Sequence, residues 1–173
     1  GRANIFWVFH VLRDYAHTIA AAKHRHVPDI PRWMEEVERL EKAQVPLPII
    51  FGHHDLLPTN FMDDGKRIWL IDWEYGGFGT AMFDLANIAS NNQFTEQAEK
   101  DLLTAYFERA PYQALLRSFY AMKTASALRE AVWGMVSEIN LNAPGVDYVA
   151  YAREYLGRYE NMLADFNSKF GKT

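Results

Sequence analysis

Two short runs in this chain have the residue types and spacing for chemistry on phosphate. Residues 53–60 read His53-His54-Asp55-Leu56-Leu57-Pro58-Thr59-Asn60, and residues 71–75 read Ile71-Asp72-Trp73-Glu74-Tyr75. Apolar runs flank both, at Ile49-Ile50-Phe51 and at Ile68-Trp69-Leu70-Ile71. Carboxylates beside such runs are costly unless something pairs with them, and a metal–nucleotide complex is such a partner. Phosphoryl transfer from a nucleotide needs an acceptor for the attacking hydroxyl's proton and oxygen ligands for magnesium. Asp55 suits the first task, and Asn60, five residues on, suits the second together with Asp72. The order His-x-Asp, four residues, Asn, hairpin, Asp-aromatic is that of a kinase catalytic loop followed by its metal loop. His53 is then structural, holding the two regions together. A zinc site on His53, His54 and Asp55 is disfavoured, because adjacent histidines diverge and no second histidine cluster stands at ligand spacing.

The surrounding elements must position these groups. From Ile5 the apolar residues Ile5, Val8, Phe9, Leu12, Tyr15, Ala16 and Ile19 fall on one helix face, fading near Lys23–His26. A shorter helix is predicted from Pro31 in its first turn to about Ala43, then a stiff Val45-Pro46-Leu47-Pro48 linker. Ile49–Gly52 reads as a short extended piece. Phe61-Met62, a turn at Asp63-Asp64-Gly65-Lys66, and Ile68–Ile71 read as a hairpin. Gly76-Gly77-Phe78-Gly79 reads as a flexible turn, and Thr80 as the cap of a helix through Leu85 and Ile88. Asp84, a carboxylate on an otherwise apolar helix start, reads as a buried brace for the loop. Three more helices follow: Glu96–Arg109, Tyr112 to about Asn140 and Tyr148–Phe166, the last two separated by Asn142-Ala143-Pro144-Gly145. The apolar face of the long one runs through Phe119, Met122, Leu128, Val132, Met135 and Ile139.

A length of 173 residues fits one domain, and 49% hydrophobic with 14% aromatic content points to a packed core, not disorder. The net charge of −4 argues against a general nucleic-acid binder and leaves room for an acidic pocket suited to a cation. Having no cysteine, the chain forms no disulfide or thiolate metal site, as befits the cytoplasm. No run has the length of a membrane span. The abrupt start, Gly1-Arg2-Ala3-Asn4 leading straight into a helical pattern, suggests a piece of a longer protein.

The wording of the central stretch resembles the choline and ethanolamine kinases. The likeness lies in His53–Asn60, Ile71–Tyr75 and Phe83-Asp84-Leu85-Ala86-Asn87, and covers about residues 49–92. Aminoglycoside phosphotransferases share the His-x-Asp, Asn and Asp skeleton but usually lack the last two wordings. Classical protein kinases carry Lys and Gly where this chain has Leu57 and Glu74, which argues against a protein substrate. Weaker echoes are Val132-Trp133-Gly134, similar to the Trp-Gly of the helix lining the choline pocket, and Val146–Tyr151, similar to the aromatic start of the final helix. The resemblance implies that Tyr75, Trp133 and Tyr151 wall the substrate site with Tyr148 near it, since aromatic faces attract ammonium groups. Glu74 would touch metal, substrate amine or only backbone.

The chain departs from the choline-type pattern at Glu130, where another Trp often stands three residues before Trp133, and at Asn91, where an acidic residue is frequent. This keeps ethanolamine or another small amino alcohol in play. Nothing matches the family's Gly-rich phosphate loop and strand Lys. The expectation is therefore a mainly α protein-kinase-like C-terminal lobe over residues 1–173 with a small β-hairpin, lacking its nucleotide lobe. Its activity would be Mg2+- and ATP-dependent phosphorylation of a small cationic alcohol, weak in this piece alone. The rivals are an antibiotic phosphotransferase and a non-catalytic cation-binding module.

Overall fold

The structure, a computed structural model, describes residues 4–141 and 143–172. In chain order it runs α1 (Val8–Ala21), α2 (Ile30–Lys42), β1 (Ile49–Gly52), β2 (Phe61–Asp63), β3 (Ile68–Leu70), β4 (Gly77–Thr80), α3 (Ala81–Asn91), α4 (Glu96–Phe107), α5 (Gln113–Asn140) and α6 (Tyr148–Phe170). Single 3-10 turns precede α2 and β2. Among the described residues no helix is long and apolar enough to cross a membrane. The fold is the expected one, helical with a small β part.

The axis of the core is α5, which packs against α6, α3, α1 and α2. Its middle is buried on nearly every side, from Ser118 through Val132, as fits a helix enclosed by neighbours. The face read from the sequence is thus narrower than the buried surface, and Ile139, expected on it, is exposed. Around α5 the core gathers Phe9, Leu12 and Ile19 of α1, Trp33 and Val37 of α2, Met82 and Phe83 of α3, and Tyr159 and Phe166 of α6.

The β2–β3 hairpin pairs Phe61 with Leu70 and Asp63 with Ile68. Its turn is closed by Asp63 and Asp64, which accept from the N–H groups of Gly65, Lys66 and Arg67. A second antiparallel sheet pairs β1 with β4, Ile49 opposite Thr80 and Gly52 opposite Gly77. Residues 76–79 therefore hold a strand where a flexible turn is expected. Residues 4–6 lie extended beside it, with the Phe6 N–H on the Phe78 carbonyl (2.8 Å) and the Phe78 N–H on the Asn4 carbonyl (2.7 Å). A Cβ on Gly77 would stand 2.8 Å from the Asn4 oxygen, and one on Gly79 2.8 Å from the Phe6 oxygen. The glycines are there for close backbone approach, not for turning. For the same reason α1 begins at Val8, not Ile5. The predicted break at residues 142–145 falls between α5 and α6, with Asn142 outside the described residues.

Candidate active site

The loop after β1 carries Asp55, and its shape is fixed through α3. The Asp84 carboxylate accepts the backbone N–H of both His53 and His54, each at 2.7 Å. The Asn87 side chain accepts the Leu56 N–H at 2.6 Å and donates to Ser126 on α5. These contacts leave few of the loop's polar groups unpaired, the usual requirement for buried backbone. His54 sits in the left-handed region at φ +64°, and so does Asp72 at φ +62°. Non-glycine residues there are uncommon and gather at functional sites.

The two adjacent imidazoles diverge, and each clamps one end of the second acidic run. His53 faces the Asp55 N–H through Nδ1 and the Ile71 carbonyl through Nε2 (2.9 Å). A carbonyl can only accept and a backbone N–H can only donate, so Nε2 is the donor here and Nδ1 the acceptor. His54 donates from Nδ1 to the Tyr75 carbonyl at 3.1 Å, and its ring stacks on Phe6. The Ile71 N–H in turn reaches the Asn60 carbonyl at 3.0 Å. Asp72 and Glu74 are thus held between two histidine anchors. Both ring nitrogens of His53 are engaged, and His54 Nε2, though unpartnered, is fully buried against Gly52 and Gly79.

The Asn60 amide donates to the Asp55 carbonyl (2.8 Å) and to its Oδ2 (3.3 Å). Because both partners are oxygens, the nitrogen of that amide faces Asp55 and Oδ1 is left as the acceptor. Asp72 is exposed and has no hydrogen-bond partner among the described residues. An amide oxygen and a free carboxylate fit magnesium, which takes one or two protein ligands and fills its octahedron with water and phosphate oxygens. Among the described residues no three His, Cys, Asp or Glu form a fuller metal cage.

Asp55 and Asp72 open on a cleft of about 210 Å3. One wall holds Asp55, Leu57, Asp72, Glu74 and Tyr75, the other Arg129, Glu130, Trp133 and Tyr151. Asn60, His53 and Asp84 stand behind the first wall. Tyr148 does not line the cleft: it packs edge-on against Trp133 (6.1 Å) and borders a separate depression with Glu138 and Val146. A larger groove near β1 and β4, about 450 Å3, contains no carboxylate.

The far wall is joined by side chains. The Trp133 indole N–H donates to the Tyr75 hydroxyl at 3.2 Å, and the Tyr151 hydroxyl donates to Glu130 Oε2 at 2.8 Å. Burial, then the Glu130 carboxylate, push the Tyr151 phenol up, so it stays a donor. Gly134 makes room for this: a Cβ there would meet the Tyr151 ring at 3.0 Å and Ala152 at 3.2 Å. Arg129, 2% exposed, binds Glu130 Oε1 at 2.6 Å, approaches Asp55 Oδ1 at 3.6 Å and lies over the Tyr75 ring. Burial pushes the Asp55 carboxyl above its ordinary range, while Arg129 pulls it back. The sequence reading names no role for Arg129 and treats Glu130 only as a departure. The available signal was a charge pair set between Leu128 and Ala131 in an apolar helix, which buries only if the charges are paired.

A sequence model described as "Phosphotransferase enzyme family" matches residues 7–117. The chain is similar to the crystal structure of a choline/ethanolamine kinase family protein from Mesorhizobium loti, with a TM-score of 0.77 and 25% identity, covering 97% of this chain and 58% of that one. A probable ethanolamine kinase from Arabidopsis thaliana is 45% identical over 42 residues, 23% of this chain and 11% of the relative. A thiamine kinase from Shigella boydii is 35% identical over 80 residues, 45% of this chain and 28% of the relative. The chain thus spans little more than half of that structure, and the matched stretches cover less than half of each curated relative's length. With more than half of its residues inside the family's match, the chain belongs to the phosphotransferase enzyme family.

Proposed function

We propose that the chain is the catalytic and substrate-binding lobe of an ATP-dependent kinase acting on the hydroxyl of a small amino alcohol of the choline or ethanolamine type. The observation that carries this is one half-buried carboxylate, Asp55, set beside the Asn60 amide and opening on a cleft walled by acidic and aromatic groups. Asp55 orients the alcohol and takes its proton. Asn60 and Asp72 would hold Mg2+, which when bound offsets charge on the transferring phosphate. Glu74, Tyr75, Trp133 and Tyr151 receive the cation, with Tyr148 supporting Trp133 from behind. His53 and Asp84 fix the loop.

Size supports a small acceptor. A cleft of about 210 Å3 lies below the roughly 300–1,000 Å3 of pockets for drug-sized ligands, in keeping with a small acceptor. A cytoplasmic setting is part of the same proposal, in keeping with a chain without cysteine. The test is Mg-ATP with the intact protein and a panel of ethanolamine, choline, thiamine and an aminoglycoside, read as phosphoester by 31P NMR. A product from ethanolamine or choline supports the reading. A product from thiamine or the aminoglycoside alone contradicts it.

A second lobe is part of the same proposal. Ile5, Ile49, Phe51, Trp73 and Phe78 are 40–85% exposed, and Phe51 touches both Trp73 and Phe78. A contiguous apolar face of this kind marks an interaction surface, and a nucleotide lobe of the same protein would cover it. This polypeptide alone should then bind Mg-ATP weakly. Micromolar affinity on titration would contradict that.

A further inference from the structure

The far wall of the cleft contains its own ion pair, and the pair leaves capacity unused. A carboxylate offers about four lone-pair positions. On Glu130, Arg129 takes one at Oε1 and the Tyr151 hydroxyl takes one at Oε2. Glu130 is only 2% exposed, yet it lines the cleft, so a donor bound there is the group that can reach its remaining positions. The aromatic faces are less free. The Arg129 guanidinium lies 4.8 Å from the centre of the Tyr75 ring, so that ring already serves an internal cation. Trp133 and Tyr151 meet edge to face at 5.4 Å. The four cleft carboxylates Asp55, Asp72, Glu74 and Glu130 exceed the single guanidinium by three charges.

We infer that Glu130 determines which ammonium the cleft prefers: its unused acceptor positions take an N–H of the substrate, favouring primary-ammonium alcohols over N-methylated and, above all, quaternary ones. This rests on the reading of the chain as an amino alcohol kinase. A quaternary ammonium has no N–H to give. Bound here, it would leave buried acceptor positions unpaired, the situation in which sites built to hydrogen-bond reject an analogue. Were Glu130 only the counter-charge of Arg129, the number of N–H groups on the substrate would not matter.

The experiment is a graded series with the intact protein and Mg-ATP: ethanolamine, its N-methyl and N,N-dimethyl derivatives, and choline. In the parent protein kcat/KM should fall stepwise along the series, by about tenfold or more from first to last, mainly through KM. Glu130→Gln keeps the shape and an acceptor for Arg129 while losing acceptor capacity, and should shrink that ratio to within about threefold. Tyr151→Phe leaves the Arg129–Glu130 pair in place and frees Oε2, so the parent's preference should persist or grow. A flat series or a choline preference in the parent, or a folded Glu130→Gln variant with the parent's ratio, overturns the assignment. If Glu130→Gln does not fold, the parent series and Tyr151→Phe decide it. Phosphorylation of all four alcohols without order removes the role of Glu130 alone. Phosphorylation of none, with activity on another acceptor, removes the amino alcohol reading itself.

Discussion

The loop wall of the cleft, residues 53–75, is tied down largely through main-chain groups: the N–H of His53, His54 and Leu56, both polar groups of Ile71, and the carbonyl of Tyr75. The helical wall, residues 129–151, is joined through side chains, Arg129 to Glu130, Tyr151 to Glu130 and Trp133 to Tyr75. The difference separates two tasks. A wall whose backbone is anchored cannot shift without stranding buried donors and acceptors, which suits groups that must hold a hydroxyl and a metal in fixed geometry. A wall joined by side chains can be altered one residue at a time without moving a strand or helix, which suits the choice of substrate.

The largest effect should come from the anchor of the loop wall. Asp84→Ala removes two charge-assisted hydrogen bonds at once, so a loss of about 3 kcal/mol in denaturant stability, together with a collapse of turnover, is expected. Stability unchanged within error would show that the loop holds its shape without α3. On the helical wall, Trp133→Phe loses the donor to Tyr75 but keeps an aromatic face. KM should rise by about three- to tenfold while kcat stays within about twofold. A fall in kcat without a change in KM would erase the division between the walls.

The smallest effect is a pH dependence confined to the loop wall. Burial holds His54 below its ordinary value of about 6.5, so the fold keeps it neutral while the unfolded chain takes up a proton as pH falls. Its contribution to stability is complete above that value and is lost as pH drops through it. The denaturant midpoint should be lower at about pH 5.5 than at about pH 7.5, and the slope shallower in His54→Gln. An equal slope in the variant would assign the acid sensitivity to other groups.

The loop wall was legible in the sequence because its information is local. Asp55 and Asn60 are five residues apart, and Asp72 follows one hairpin whose turn is spelled Asp63-Asp64-Gly65. The helical wall was less so. Arg129 meets Asp55, 74 positions away along the chain, and no periodicity reports a contact of that kind. Glu130 lay inside an apolar helix, where its burial depends on Arg129 and Tyr151 being in place. Tyr148 and Tyr151 differ by three residues on α6, yet only Tyr151 reaches the cleft, a distinction that spacing along one helix face does not report. Strand β4 was hidden because its glycines serve contact with residues 4–6, and composition alone does not separate that use from a turn.

The central claim is that Asp55 acts on the substrate hydroxyl, and Asp55→Asn in the intact protein tests it most directly. The variant should be assayed for phosphoryl transfer from Mg-ATP to ethanolamine and for denaturant stability at neutral pH. Because burial raises the Asp55 pKa, the ionised carboxylate costs stability in the fold, and the neutral amide should relieve that cost. The predicted result is a loss of turnover of about 100-fold or more with stability equal to or above that of the parent. Turnover within a few-fold of the parent, in a variant that folds as well, would contradict the account.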